Sequence, residues 1–254
     1  MRLICYQTSD QEKHVGWILD DKVGPIRGDI LDEYQREEAT IPLDQVRLLS
    51  PVRPSKIIAV ARNYAAHAAE HNAEVPEMPV LFFKPPSAVI GPGEVIRIPP
   101  QTQQMEHESE LAVVIGKAGR WIDLDEADNH ILGYTIANDV TARDLQRSDL
   151  LWTRAKGFDT FAPLGPWIET DFDPTDAMIT CHVNGVMRQM ASTRDMTFTI
   201  KKIIAFISSV MTLYPGDVIL TGTPEGVGPL EDGDEVAITI EGIGTLTNPV
   251  KALE

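Results

Sequence analysis

The apolar residues of this 254-residue chain come in short runs, and only one stretch repeats them at helical spacing. Short runs bounded by turn residues suit strands and are too brief for ordinary helices. Strands are therefore expected at Leu3-Ile4-Cys5-Tyr6, Val15-Gly16-Trp17-Ile18-Leu19, Lys56 to Val60, Val80 to Phe83, Leu111 to Ile115 and Leu132 to Ala137, then at Val218 to Leu220, Val236 to Ile240 and Thr245 to Val250. Asp20-Asp21 marks a turn after the second run, and Gly242 with Gly244 a tight turn before the last. Ile200, Ile203, Ile204, Ile207, Val210 and Met211, stopped by Pro215-Gly216, predict one amphipathic helix packed on a sheet. Shorter helices are expected near Asp29 to Glu38, over the alanine-rich Tyr64 to His71, and after an N-cap at Asp123. Many strands without regular β-α alternation predict a β-rich α+β fold, not a doubly wound sheet or a (β/α)₈ barrel. Ser50-Pro51-Val52-Arg53-Pro54 propagates neither a helix nor a central strand. The chain accordingly divides into a small β-rich N-terminal segment, residues 1-50, and a main domain, residues 51-254.

Lys plus Arg number 22 against 38 Asp plus Glu, a formal charge of −16. That field repels phosphate backbones and anionic headgroups, so neither nucleic acid nor membrane is an expected partner. No apolar run reaches the roughly 20 residues of a spanning helix. Asp10, Glu12 and Lys13 interrupt the N-terminus before a signal-peptide core can form, so the expected location is cytoplasmic. Cys5 and Cys181 are too few for a disulfide framework and lack zinc-type spacing. An acidic protein that binds an acidic substrate needs local positive charge, and a bound cation is an economical source of it.

Glu106-His107-Glu108-Ser109-Glu110 leads directly into the apolar run Leu111 to Ile115. Strand side chains alternate, so Glu108 and Glu110 share a face. Carboxylates held that close need a cation between them, or one must take up a proton. Asp139, at the end of another expected strand, can complete a hard all-oxygen set of the kind that suits octahedral Mg²⁺ or Mn²⁺. Taken singly these features are ordinary, because Glu-x-Glu pairs are common on solvated strand edges and aspartates commonly end strands. His67 and Glu70 stand three apart on an expected helix, hence on one face. A carboxylate beside an imidazole orients it and raises its basicity, as a general base requires. There is no G-x-S-x-G elbow, Walker loop or G-x-G-x-x-G fingerprint, which argues against a serine hydrolase or a nucleotide enzyme. The acid-rich stretches 123 to 128 and 231 to 235 lack the glycine of an EF-hand loop.

Five segments taken in order resemble the fumarylacetoacetate hydrolase family across residues 51 to 254. They are Arg62-Asn63-Tyr64 with His67 and Glu70, Phe83-Lys84-Pro85, Glu108-Ser109-Glu110, Asn138-Asp139-Val140-Thr141-Ala142-Arg143-Asp144-Leu145-Gln146, and Thr221-Gly222-Thr223-Pro224. The resemblance implies a mixed β-roll, a homodimer, and Mg²⁺ or Mn²⁺ on Glu108, Glu110 and Asp139. It also implies that His67, Glu70 and Lys156 are catalytic, with Lys156 reaching the metal site. Arg62, Tyr64, Lys84, Arg143, Gln146 and Thr223 are implied to bind substrate. The implied substrate is a small 2-oxo acid, acylpyruvate- or oxaloacetate-like, that undergoes hydrolysis or decarboxylation. Isomerisation of a hydroxy-dienedioate from aromatic catabolism is the alternative. Ala61 departs from the pattern, since family members often carry Gly there, and this leaves the backbone path into Arg62 open.

Overall fold

The computed structural model, which describes residues 1–70 and 72–253, is organised about strand Ser109–Ile115, every residue of which is buried. A strand covered on both faces needs no polar alternation, which is why Leu111 to Ile115 reads as a continuous apolar run. Ile131–Asn138 pairs antiparallel with it on one side and Val218–Leu220 on the other. Beyond Ile131–Asn138 the sheet continues through Ala162–Glu169, Arg2–Gln7, Lys13–Leu19 and Lys22–Gly28 to Tyr34–Arg36. Beyond Val218–Leu220 it continues through a parallel pairing with Ile57–Ala61 to Val80–Lys84. A second sheet runs Ile96–Ile98, Gly244–Ala252, Glu235–Ile240, Met178–Val183, Val186–Ser192. A third joins Thr141–Ala142, Met105–His107 and Gly228–Pro229. The result is a sheet-rich mixed α+β fold, as the strand pattern predicts, and of the β-roll type that the family resemblance implies.

The expected amphipathic helix spans Ile200–Val210 and buries Ile200, Ile203, Ile204 and Ile207. Each such side chain contributes about 1.5–3 kcal/mol relative to an exposed one. Thr199 caps the helix by accepting the Lys202 N–H. The helix packs against the 3₁₀ segment Leu124–His130. Among the described residues no helix is long and apolar enough to cross a membrane.

The segment before Pro51 extends the main sheet, with Arg2 and Leu3 opposite Glu169 and Ile168. It also holds a small core of its own, formed by Ile4, Tyr6, Ile18 and Val23. The helix expected near Asp29 to Glu38 does not form. Gly28 takes φ +102°, the Leu31 N–H donates to Asp29 Oδ1, and Tyr34–Arg36 returns as a strand opposite Ile26 to Gly28. Asp side chains that bond nearby N–H groups favour turns over helix, and here the turn wins. The helix expected over Tyr64 to His71 is Ala65–Glu70, and His71 lies outside the described residues. After Asp123 the chain forms 3₁₀ turns in which the Asp123 carbonyl, not its side chain, accepts the Glu126 N–H.

Candidate active site

Ser109 lies opposite Asn138 in the central antiparallel ladder, so the residues just beyond that pair, Glu108 and Asp139, meet where the two strands end. The Glu108 N–H donates to Asn138 Oδ1 at 3.0 Å, and the Asp139 N–H donates to the Glu108 carbonyl at 2.9 Å. Glu110 Oε2 accepts the Gly222 N–H at 2.6 Å. All three carboxylates are buried, and one oxygen from each lies within 4.8 Å of the others. The face-sharing expected of Glu108 and Glu110 thus becomes a three-carboxylate cluster through strand register.

Buried cations surround the cluster. Lys156 Nζ donates to Glu108 Oε2 at 2.8 Å and to Asp139 Oδ2 at 2.7 Å. Lys84 Nζ donates to Asp139 Oδ1 at 2.5 Å and to the Val140 carbonyl at 3.1 Å. Arg143 donates through Nε to Glu106 Oε2 at 2.7 Å, through Nη2 to Glu108 Oε1 at 2.5 Å, and through Nη1 to Gln146 Oε1 at 2.6 Å. Burial by itself would raise the Glu108 carboxyl, but Lys156 and then Arg143 override it and hold the group well below the usual carboxylate range. Glu110 moves the other way, because burial and then the charges of Asp139 and Glu108 push it well above that range. Four buried carboxylates, Glu106, Glu108, Glu110 and Asp139, stand against three buried cations, Lys84, Arg143 and Lys156, which leaves one negative charge over. A hard divalent cation between the three oxygen donors would bring positive charge to the carboxylate that lacks a cationic counterpart, so the donor set fits Mg²⁺ or Mn²⁺.

The cluster borders a cavity of about 340 Å³ that Arg62, His67, Arg143, Gln146, Lys156 and Thr223 also line. Phe82, Trp152 and Arg147, with Val60 and Ala61, complete its wall. Phe82 and Trp152 meet edge to face, with centroids 5.4 Å apart. His67 Nδ1 lies 3.3 Å from Glu70 Oε2, and Glu70 Oε1 accepts the Gly226 N–H at 3.1 Å, so the pair predicted from helical spacing is formed and anchored. Two of the residues expected to bind substrate, Tyr64 and Lys84, are placed outside the cavity lining. Lys84 stands behind Asp139 as its counter-ion, where burial lowers its ammonium and Asp139 partly restores it. Tyr64 is 1% exposed, its hydroxyl has no hydrogen-bond partner among the described residues, and burial followed by the charge of Glu110 raises it. Both positions are supporting ones in this geometry.

Ala61 simply ends strand Ile57–Ala61, and the left-handed conformation falls on Arg62, with φ +56°. A non-glycine residue stays there only when its surroundings hold it. Asn63 supplies the hold. Its Nδ2 donates to the Thr221 carbonyl at 2.8 Å and the Phe198 carbonyl at 3.1 Å, and its Oδ1 accepts the Phe198 N–H at 2.7 Å. Asn63→Ala strands these buried backbone groups and should cost about 3 kcal/mol. At about 2–4 °C per kcal/mol, that is a fall in Tm of roughly 6–12 °C. A melt unchanged from wild type would show that the clamp contributes nothing.

Residues 56–251 match the family described as fumarylacetoacetate hydrolase C-terminal, and residues 1–51 match the Rv2993c-like N-terminal family. The chain belongs to the fumarylacetoacetate hydrolase family. It is 56% identical to protein Rv2993c of Mycobacterium tuberculosis over 212 residues, 82% of this chain and 80% of that one. With the human mitochondrial oxaloacetate tautomerase FAHD2A it shares 44% identity over 223 residues, 83% of this chain and 71% of the relative. The solved 5-carboxymethyl-2-hydroxymuconate delta-isomerase of Mycobacterium smegmatis superposes at TM-score 0.93 with 49% identity, covering 100% of both chains. A maleylpyruvate hydrolase from Sphingobium sp. SYK-6, solved with manganese(II) and pyruvate, superposes at TM-score 0.83 with 34% identity, again over 100% of both chains. The fumarylacetoacetate hydrolase fold thus carries tautomerase, isomerase and hydrolase activities among this chain's relatives.

The family motifs account for most of the cavity wall, but they leave out Glu106 as a second partner of Arg143, the Phe82–Trp152 wall, and Gln189 behind Thr223. Gln189 lies on a hairpin whose turn, Asn184-Gly185, has both residues at positive φ, 51° and 75°. An Asn-Gly pair between alternating runs is a readable hairpin signal.

Proposed function

We propose that the protein is a divalent-metal-dependent enzyme that cleaves or decarboxylates small 2-oxo acids of the acylpyruvate or oxaloacetate type. The observation that carries this reading is one small cavity onto which the three carboxylates, Lys156 and His67 all face. Mg²⁺ or Mn²⁺ held by Glu108, Glu110 and Asp139 supplies, when bound, Lewis-acid polarisation of the substrate's oxygens. Burial would lower the Lys156 ammonium, but Asp139 and Glu108 raise it, so it stays cationic and offsets negative charge that develops on the substrate. Arg143 and Gln146, bonded to each other, and Thr223 orient the substrate's carboxylate and oxo groups. His67, aligned by Glu70, takes the proton from the water that attacks the distal carbonyl. Phe82 and Trp152 keep bulk water from one side of the reacting atoms.

A second reading, proton transfer without bond cleavage, draws on the tautomerase and isomerase activities of the relatives at 44% and 49% identity. His67 then moves a proton on and off the substrate carbon. Oxaloacetate, an acylpyruvate and a hydroxy-dienedioate, each assayed with Mg²⁺ and with Mn²⁺, separate the two. Pyruvate release supports cleavage, while a shift in the keto–enol or double-bond signals by NMR without release supports isomerisation. Turnover of none of them overturns the 2-oxo acid reading.

Oxalate presents two adjacent oxygens with the geometry of a pyruvate enolate, and it should inhibit competitively in the millimolar range or below. The inhibition should need added metal. A rate indifferent to oxalate at saturating Mg²⁺ would rule out this mode of substrate binding.

A further inference from the structure

Gln189 is 1% exposed and sits on Val186–Ser192, in the five-stranded sheet and not in the sheet that carries the carboxylates. Two backbone groups, each with a single possible role, fix its orientation. Oε1 accepts the Ser109 N–H at 3.0 Å, and Nε2 donates to the Pro224 carbonyl at 2.9 Å. With the amide so oriented, Oε1 also accepts from His107 Nδ1 at 3.1 Å, and the second N–H of Nε2 donates to Thr223 Oγ1 at 2.8 Å. Ser109 lies between Glu108 and Glu110, and Thr223 lines the cavity. One buried amide therefore ties the carboxylate strand to the loop 221–229. The same loop presents the Gly222 N–H to Glu110 and the Gly226 N–H to Glu70. Strand and loop are in close contact, since a Cβ on Gly226 would lie 2.1 Å from the Arg188 carbonyl oxygen.

We propose that Gln189 is a positioning residue that holds this loop in register with the carboxylates and makes the Thr223 hydroxyl a donor to substrate. A hydroxyl that already accepts from an amide N–H keeps its own proton for another partner. Inside the cavity that partner is an anionic or carbonyl oxygen. The substrate part of the inference rests on the proposed 2-oxo acid reading, whereas the loop part does not.

Gln189→Met preserves length and removes every one of these bonds, and Thr223→Val removes the hydroxyl. Each should raise KM by about ten-fold, the worth of one oriented hydrogen bond, with kcat less affected. Their effects on KM should not fully add in the double variant, because both break the Gln189–Thr223 bond. Hydrogen exchange of the amides in 221–228 should quicken by about ten-fold in Gln189→Met while that of helix Ile200–Val210 stays as in wild type. Should Gln189→Met fail to fold, Thr223→Val and Thr223→Ser serve instead, with faster loop exchange and raised KM in the first and recovery of both in the second. Unchanged loop exchange, unchanged KM, or additive effects overturn the proposal. If the wild type turns over none of the 2-oxo acids, the function reading fails, and loop exchange still decides whether Gln189 anchors the loop.

Discussion

Glu108→Ala and Asp139→Asn should each abolish Mn²⁺ binding and lower turnover by about 10³-fold or more. The magnitude follows from the several kcal/mol that a Lewis-acid ion contributes, at about 1.4 kcal/mol per factor of ten. The fold should survive, because Glu108→Ala leaves Lys156 on Asp139 and Arg143 on Glu106. Asp139 needs the gentler replacement. Lys84 is fully buried with Asp139 as its salt-bridge partner, and alanine there would strand an unpaired ammonium at a cost of about 3–5 kcal/mol. Glu110→Gln supplies the contrasting control. It keeps an oxygen for the Gly222 N–H and removes a carboxyl whose ionisation burial, Asp139 and Glu108 oppose, so the metal-free variant should melt above metal-free wild type while binding Mn²⁺ more weakly. Calorimetric titration with Mn²⁺ decides the matter, and wild-type affinity in both Glu108→Ala and Asp139→Asn would refute the metal centre.

His67→Ala should divide the reaction types. Hydrolysis of an acylpyruvate needs a base to deprotonate water, a contribution of about 10²- to 10⁴-fold, and that activity should fall by this order. Decarboxylation of oxaloacetate asks chiefly for charge stabilisation, which Lys156 and the proposed cation would still supply, and should fall much less. The informative quantity is the ratio of the two rates in wild type and variant at matched metal saturation. A ratio that does not move would mean that His67 closes or supports the site without handling the proton of water. Glu70 bears on the same result. Because the Gly226 N–H holds its carboxylate, loss of the imidazole leaves the Thr221–Pro229 loop anchored.

The particular strands that escaped sequence reading show where local pattern stops being informative. Ala162–Glu169 contains Pro163, Gly165 and Pro166, residues that weaken any strand propensity, yet it forms the ladder between Arg2–Gln7 and Ile131–Asn138. Its irregularity is absorbed by a register shift opposite Tyr134 to Ile136, and Gly165 is pressed so close to the ring of Pro92 that a Cβ would come within 2.8 Å. Tertiary packing selects that strand against its propensity. Between Asp29 and Glu38 the opposite happened, and a charged stretch compatible with helix was captured by an aspartate turn and a hairpin partner.

Side-chain direction along one strand or one helical turn was determined by the sequence alone. Period 2 puts Glu108 and Glu110 on one face, and spacing of three brings His67 to Glu70. The hardness of the donor set was likewise legible, because it depends only on residue type. The tertiary structure alone decided which charges meet. The register Ser109 to Asn138 brings Asp139 to Glu108, Lys156 bridges both, Lys84 is confined behind Asp139, and Gln189 reaches across from another sheet to Ser109 and Thr223. These partners are far apart in the chain. Their meeting depends on strand register, where a slip of one residue would turn every side chain to the opposite face, and no local pattern encodes that choice.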